Sequence, residues 1–345
     1  MSGSTGNRSA PLSAAQRRLF ALGLLLSLPL LGLFSLAVGS KPVAWATVLD
    51  AVRAFDPTQP DHLLVIHLRL PRLLIGVLVG AALGAAGLLI QAVTRNALAD
   101  PGILGVNAGA SLGVVVALAL FGQLNMGSQI FAAMVGAFVA GLAVMLLAGA
   151  GTVSSSPTRI VLAGVAVSAV LLSLSQLVMI NSTDQVFDHY RNWVVGALEG
   201  RGPDVLLTTL PFVLAGLALA LYVSGHLDAL GLGQDMGLAL GVHRPLVLGL
   251  SLLTIVLLAG AATAAVGPIA FLGLIAPHLA RALVGPNHRR LLGWSVLLAI
   301  FTLLLADIAG RVLAPPADLG AGLMVALIGG PFFVMLARRD RLSEL

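Results

Sequence analysis

The chain has 345 residues, of which 58% are hydrophobic and 10% are charged, and its formal net charge is +5. A soluble domain carries about 25% charged residues, so this composition excludes a soluble globular protein and indicates an integral membrane protein. The chain has no Cys, which excludes disulfides, thiolate metal sites and cysteine nucleophiles.

Ten apolar segments follow one another along the chain, and each is continuous rather than alternating in hydropathy. The longer ones reach the ~20 residues needed to cross a ~30 Å hydrocarbon core, and backbone in lipid satisfies its hydrogen bonds as a helix. We predict an all-α polytopic membrane protein, a single transmembrane domain over 1–345, with spans at 18–38, 72–93, 103–121, 128–149, 159–179, 204–223, 246–265, 269–284, 291–312 and 320–337. The eighth segment is short and has Pro268 and Pro277 beside and within it, which favours a broken or tilted helix.

The first apolar segment follows Arg17 and Arg18, a pattern shared with secretory signal peptides. Its apolar part exceeds the roughly 7–15 residues of a signal-peptide core, which favours a first membrane helix after a cytoplasmic tail at 1–17. With the N-terminus inside, eleven arginines fall on the cytoplasmic side and seven basic residues on the other, in agreement with the positive-inside rule. The even number of spans then places both termini in the cytoplasm.

Two sets of glycines recur about every four residues, a spacing that places them on one face of a helix. They are Gly76, Gly80, Gly84 and Gly87 in the second segment and Gly105, Gly109 and Gly113 in the third. Small residues let two helices cross closely. We predict that these glycines serve the packing of the bundle rather than a ligand.

Lys41 is the only lysine of the chain. An ATP-binding loop of the G-x-x-x-x-G-K-[ST] type requires a lysine on the β- and γ-phosphates, and the residues around Lys41 form no such loop. We therefore predict that the chain does not hydrolyse ATP by that route. We predict that any process driven by this chain takes its energy from an ion gradient or from a separate subunit.

Three loops are longer than a minimal turn, at 39–71 and 180–203 on the outer side and at 224–245 on the cytoplasmic side. The cytoplasmic loop is apolar, whereas a loop that only connects two helices is expected to be polar. We predict that 224–245 forms two short helices that lie against the membrane or a partner.

Six blocks of sequence carry a family resemblance, in the same order over nearly the whole chain. They are Arg69–Arg72, Thr94–Ala110, Leu162–Ser168, Val266–Arg281, His288–Arg289 and Ala306–Arg311. The chain resembles the permease subunits of ABC importers for iron–siderophores, haem and vitamin B12, and among them the ferric-enterobactin type. The resemblance implies the type II importer permease fold and transport of a ferric siderophore by alternating access, with the catecholate class favoured and haem or vitamin B12 as alternatives.

The resemblance also implies a division of labour among several subunits. A second permease chain, identical or paralogous, would complete the path, two cytoplasmic ATPases would bind ATP–Mg, and an extracytoplasmic binding protein would deliver the ferric siderophore. The chain itself is then not an enzyme and has no catalytic residue, cofactor, metal site or nucleic-acid partner. It would lie in the lipid bilayer of the bacterial inner membrane.

Arg69, Arg72 and Arg311 lie at the outer ends of predicted helices. In the family that the chain resembles, arginines at these positions pair with acidic residues of the binding protein, and guanidinium forms bidentate, charge-assisted bonds with carboxylate. Two other interpretations stay open. The side chains snorkel to the membrane interface, or Arg311 pairs internally with Asp307, one helical turn earlier.

Within the loop 224–245, the resemblance implies an element that couples the permease to the ATPase. The residues that we assign to this coupling element are Leu227, Asp228, Gly233, Asp235, Leu240 and Gly241. The alternative interpretation is an amphipathic loop that has no role in coupling.

The fifth apolar segment carries Ser168, Ser175 and Gln176 in an otherwise apolar run. Hydroxyls within a span either bond back to their own helix or line a wet path, and we name these three residues as candidates for the translocation path. Ser156 and Thr158, at the cytoplasmic mouth of the same segment, are gate residues by resemblance.

An ion-coupled secondary transporter is the competing class, and it predicts partnered ionisable residues deep within the spans. Apart from Asp204, the first residue of its span, Asp307 is the only acidic residue in a predicted span, and Arg311 lies beside it. His278 and His288 are ten residues apart with no carboxylate partner expected nearby, so we predict structural roles for both rather than metal ligation.

Overall fold

The computed structural model describes residues 14–39, 41–122, 124–149, 156–231, 234–239, 241–314 and 317–338. Throughout these ranges the regular structure is helical, with no strand. The helices are α1 (Ala14–Ala37), α2 (Trp45–Arg53), α3 (Pro60–Leu63), α4 (Leu70–Thr94), α5 (Val106–Phe121), α6 (Met126–Leu147), α7 (Pro157–Ile180), α8 (Asp184–Val194), α9 (Pro203–Gly231), α10 (Gln234–Ala239), α11 (Arg244–Val266), α12 (Leu272–Val284), α13 (His288–Leu313) and α14 (Ala321–Ala337). A π-helical segment, Leu64–Arg69, joins α3 to α4, and a 3₁₀ turn, Pro101–Leu104, precedes α5.

Ten apolar helices in the described part of the chain occupy the positions of the ten predicted apolar segments. Six are long and apolar enough to cross a membrane: α4 with the segment before it, α6, α7, α9, α11 and α13. Four shorter apolar helices, α1, α5, α12 and α14, occupy the other predicted positions. The intervening short helices α2, α3 and α8 lie in the two predicted outer loops.

The eighth predicted span is shortened at its start rather than broken within, because Pro268 lies in the non-helical segment before α12 and α12 continues through Pro277. Helix α11 ends at Gly267, which has a φ of 85°, and α12 begins only after Phe271, which has a φ of 65°. With 13 residues, α12 is ~20 Å long at 1.5 Å per residue, too short to cross the hydrocarbon core. The loop after α8 covers the non-helical segment between α11 and α12, because the Ala197 N–H donates to the Val266 carbonyl at 2.9 Å.

The predicted glycine stripes lie at close helix crossings. A Cβ added at Gly87 would overlap the backbone of Gly273, at the start of α12. One added at Gly84 would overlap the Ser295 carbonyl on α13. Helix α4 is buried along most of its apolar length, whereas α7 is mostly exposed. The stripe on α4 therefore permits this helix to lie at the centre of the bundle, and the predicted packing role is confirmed.

The loop predicted at 224–245 differs from its expectation of two short helices. Helix α9 continues to Gly231, and a single short helix, α10, follows before α11 begins at Arg244. The reason is that Val223 and Leu227 still pack against the core, so burial sustains α9 beyond the predicted span. We call the side of the bundle that carries α10 the inner face and the opposite side the outer face.

Candidate functional site

A cluster of charged side chains is buried at the outer face, where α4, α13 and the segment before α14 meet. The Arg72 Nε and Nη2 atoms donate to Asp307 Oδ1 at 3.0 and 2.8 Å, and Nη1 donates to Asp318 Oδ2 at 2.7 Å. From the other side, Arg311 Nη2 donates to Asp307 Oδ2 at 2.6 Å. Asp307 thus holds two guanidinium groups, and its side chain is 1% exposed.

Two arginines bind the carbonyl oxygens that end α1. Arg69 Nη1 donates to the Leu36 and Ala37 carbonyls at 2.7 and 2.9 Å. Arg311 Nη1 donates to the Ser35 and Val38 carbonyls at 2.8 and 3.0 Å. The last carbonyls of a helix lack partners within it and carry partial negative charge, so these cations cap α1.

This geometry decides part of the prediction for the three arginines. Arg69 and Arg311 are 7% and 3% exposed, and the Arg72 side chain is 11% exposed, so none of them snorkels into water. The internal pair of Arg311 with Asp307, stated as an alternative, is present. Three arginines and two aspartates leave one positive charge on the cluster. Docking of a binding protein here stays a prediction, and Arg72 is the least buried of the three arginines.

The sequence interpretation missed Asp318, which lies 246 residues from Arg72 along the chain. It also missed the pair of Lys41 with Asp61 in the first outer loop, where Nζ and Oδ1 are 2.5 Å apart. That pair is largely exposed, with side-chain exposures of 64% and 37%. A carboxylate in the turn before the last helix was the one available signal for Asp318.

A cavity of about 390 Å³ lies at the inner face, among the ends of α4, α7, α9, α11 and α12. Ser156, a predicted gate residue, and Leu227, a predicted coupling residue, both line it. Three arginines that the sequence interpretation did not single out line it as well: Arg95, Arg244 and Arg281. The structure therefore brings the predicted gate and coupling elements together around one basic cavity.

The predicted coupling residues fall into different environments. Asp228 accepts the backbone N–H of His288 at 2.7 Å and contacts the Nδ1 atom of the same residue at 2.9 Å, which ties the end of α9 to the start of α13. His288 therefore has a carboxylate partner, contrary to the sequence expectation. Leu227 is 6% exposed and packs in the core, and Gly241 has a φ of 74°, a left-handed conformation that favours glycine.

The other coupling candidates are only partly described. Gly233 and Leu240 lie outside the described residues, and Asp235 belongs to α10 with its side chain outside the description. His278, the second histidine considered, packs edge-on against Phe332 with ring centroids 5.6 Å apart. Among the described residues, no group of three or more His, Asp or Glu side chains could hold a metal ion.

The predicted path residues on α7 also differ from one another. Ser156 caps the helix, since its Oγ accepts the Arg159 N–H at 3.3 Å, and Thr158 is exposed beside it. Ser168 is half-buried and Gln176 is exposed. Ser175 is buried, and its Oγ donates to the Leu171 carbonyl at 2.8 Å, so it adopts the back-bonded alternative.

Ten apolar helices, a buried charge cluster at one face and a basic cavity beside an apolar loop at the other define a polytopic membrane permease. Residues 26–339 match the FecCD transport family, and the chain belongs to this family. The family predicted from the six sequence blocks is thereby confirmed.

Relatives support the same membership over almost the full length. The chain is 44% identical over 330 residues to the ferric enterobactin transport system permease protein FepD of Escherichia coli K12, which covers 94% of this chain and 97% of that protein. It is 38% identical over 329 residues to the Fe(3+)-citrate import system permease protein YfmD of Bacillus subtilis 168, with 95% and 97% covered. A solved inward-facing structure of a metal-chelate type ABC transporter aligns with a TM-score of 0.81 and 27% identity, covering 94% of this chain and 99% of that one.

Proposed function

We propose that this chain is one of two permease subunits of an ATP-driven importer that carries a ferric siderophore, of the catecholate class, across the bacterial inner membrane. The observation that carries the proposal is the 44% identity over 330 residues to a ferric enterobactin permease. The relative named for ferric citrate is 38% identical over a similar length. Haem and vitamin B12 remain the alternative substrates.

The energy source in this proposal is a separate pair of ATPase subunits that bind ATP–Mg, with no cofactor on the permease itself. Lys41, the single lysine, lies in an outer loop beside Asp61, where it cannot serve a nucleotide-binding loop. A second permease chain would pack on the exposed face of α7, the apolar span that its own chain covers least. The inner face is the cytoplasmic one in this arrangement, because the basic residues Arg95, Arg244 and Arg281 gather there. Both termini are proposed to lie on that side.

The competing class, an ion-coupled transporter, has weaker support. Asp307 is the candidate acid for ion coupling, but Arg72 and Arg311 engage both of its carboxylate oxygens. A carboxylate whose two oxygens already accept hydrogen bonds from guanidinium groups is held by internal partners rather than available to a transported ion. ATP-driven transport by alternating access is therefore the better proposal.

Uptake of radioactive iron by cells that lack this gene tests the function. The iron is offered as a catecholate chelate, as a hydroxamate chelate, as citrate and as haem, with labelled cobalamin in parallel. Loss confined to the catecholate chelate supports the proposal. Loss of haem or cobalamin uptake alone would leave the fold intact and overturn the substrate, and a return of uptake with a plasmid copy of the gene is the control.

Docking of the binding protein at the outer cluster has its own test. Arg72→Gln removes the least buried guanidinium, whereas Asp318→Asn releases that guanidinium from an internal partner. In the assembled importer we expect Arg72→Gln to abolish the stimulation of ATP hydrolysis by the binding protein and Asp318→Asn to preserve it. Basal ATP hydrolysis reports that each complex is assembled. Equal stimulation in both variants would remove Arg72 from the docking surface.

A further inference from the structure

The lining of the inner-face cavity combines basic and apolar side chains. Its volume of about 390 Å³ lies within the range of small-ligand pockets. The basic residues of the lining include Arg95, Arg244 and Arg281, and its apolar residues include Ile160 and Leu248. Because these residues come from the ends of α4, α7, α11 and α12, an occupant would contact four helices at once.

The positive charge of the cavity has no counter-ion among the residues described. Its lining includes no Asp or Glu within those ranges, and none of the three arginines there forms an ion pair with a described carboxylate. Arg281 Nη1 instead donates to the neutral Gln91 Oε1 at 2.5 Å. Asp228, which contacts the lining residue His288, is engaged by the backbone N–H and Nδ1 of that histidine at 2.7 and 2.9 Å.

Such a site selects for a ligand by charge and shape. Guanidinium groups bind phosphate with two parallel hydrogen bonds each. Basic pockets between membrane helices on the cytoplasmic side are suited to the phosphate groups of anionic lipids. The apolar residues of the same lining add room for the acyl part of such a lipid.

The geometry points to a binding site for a phosphate-bearing anion in this cavity. The shared chemistry is a phosphate group, from the headgroup of an anionic phospholipid or from a soluble phosphate compound. Because Ser156 lines the cavity and caps α7, an occupant restrains the cytoplasmic start of that helix. The assignment concerns a ligand of the permease itself and is independent of which chelate is transported.

The test uses the full chain, purified and reconstituted in nanodiscs of phosphatidylcholine alone or of phosphatidylcholine with cardiolipin. Thermal unfolding is followed in each, and inorganic phosphate and pyrophosphate are titrated into the phosphatidylcholine sample. Native mass spectrometry counts the cardiolipin that stays bound. The variants are Arg244→Gln and Arg281→Gln, with Arg290→Gln as the matched control, since Arg290 is an exposed arginine of the same face outside the cavity.

We expect stabilisation by at least one of the two phosphate sources, with affinity weakened about tenfold or more in Arg244→Gln and Arg281→Gln and unchanged in Arg290→Gln. If cardiolipin stays bound to the wild-type chain and to Arg290→Gln but not to the cavity variants, the ligand is a lipid. If only free phosphate or pyrophosphate raises the unfolding temperature, the ligand is a soluble phosphate compound. Arg244→Lys keeps the positive charge but lacks the planar guanidinium group. An affinity between those of the wild-type chain and Arg244→Gln would show that the loss in Arg244→Gln is a loss of binding and not of folding.

Two results would overturn the inference. One is a stability that neither phosphate source changes, and the other is an equal loss of affinity in Arg290→Gln. If the cavity variants instead fail only to assemble with the ATPase, while phosphate has no effect on the wild-type chain, the arginines receive an acidic protein segment and the phosphate site is refuted. None of these readouts depends on siderophore uptake, so failure here is distinct from failure of the proposed function.

Discussion

Replacement of Asp307 by Asn isolates the contribution of the buried outer cluster to stability. The substitution keeps the shape of the side chain and removes the charge that holds Arg72 at 2.8 Å and Arg311 at 2.6 Å. The cluster then retains one aspartate, Asp318, against three arginines, and none of these four residues is more than 12% exposed. Loss of one partner from a buried pair costs about 3–5 kcal/mol.

The lower end of that range applies here, because each guanidinium keeps another acceptor. Arg72 still bonds to Asp318 at 2.7 Å, and Arg311 still donates to the Ser35 carbonyl at 2.8 Å. We therefore expect Asp307→Asn to lower the free energy of unfolding by ~3 kcal/mol. Unfolding of the purified chain in mixed micelles with increasing sodium dodecyl sulfate measures it.

Asp61→Asn is the matched control, an identical chemical change in an ion pair of the same face. The pair with Lys41 is 64% and 37% exposed, and exposed pairs contribute about 0–1 kcal/mol. A loss in Asp307→Asn no larger than the loss in Asp61→Asn would refute the reasoning. The double variant Asp307→Asn with Arg311→Gln should lose less than the sum of its single changes, since the two residues interact directly.

Three further predictions concern the centre and the inner face of the bundle. Gly87→Ala should lower the free energy of unfolding by about 2 kcal/mol in the same assay, because its methyl group overlaps the backbone of Gly273; an unchanged midpoint would show that this crossing is loose. Burial raises the pKa of Asp100, so the folded chain disfavours its ionised form. The free energy of unfolding should therefore fall as the pH rises from the pKa of the unfolded chain, near 4, towards the higher pKa of the folded chain. Asp100→Asn should remove that slope from thermal unfolding scans, and a slope that persists would assign it to another group. Asp228→Ala should cost about 1 kcal/mol and reduce transport several-fold while ATP hydrolysis by the assembled complex continues, because it releases His288 from the end of α9; parallel loss of both activities would contradict a coupling role.

Local features of the sequence were enough to locate the ten apolar helices. Hydropathy marks each apolar helix because a lipid-embedded backbone must form its own hydrogen bonds, whatever its neighbours are. Pro268 likewise marks the non-helical segment between α11 and α12, since proline lacks the N–H that a continuous helix needs, whereas α12 continues through Pro277. The glycine stripe on α4 predicted a close crossing through its spacing alone. The order of six sequence blocks predicted the family that the comparisons confirm.

Contacts between distant segments depended on the packing of the helices. A spacing of four residues sets Arg311 beside Asp307, but nothing along the chain sets Arg72 beside Asp318, 246 residues away. The extension of α9 and the back-bonded Ser175 were decided by which surfaces the neighbouring helices bury.

The basic cavity at the inner face arises in the same way. Arg95, Arg244 and Arg281 are separated by long apolar runs and form one site only where three helix ends converge. Hydropathy is a property of each segment, and so the sequence alone determines the spans of this permease. Charge pairing depends on the relative placement of the spans, and so only the tertiary structure decides which charges are satisfied within the chain and which remain available to a ligand or a partner.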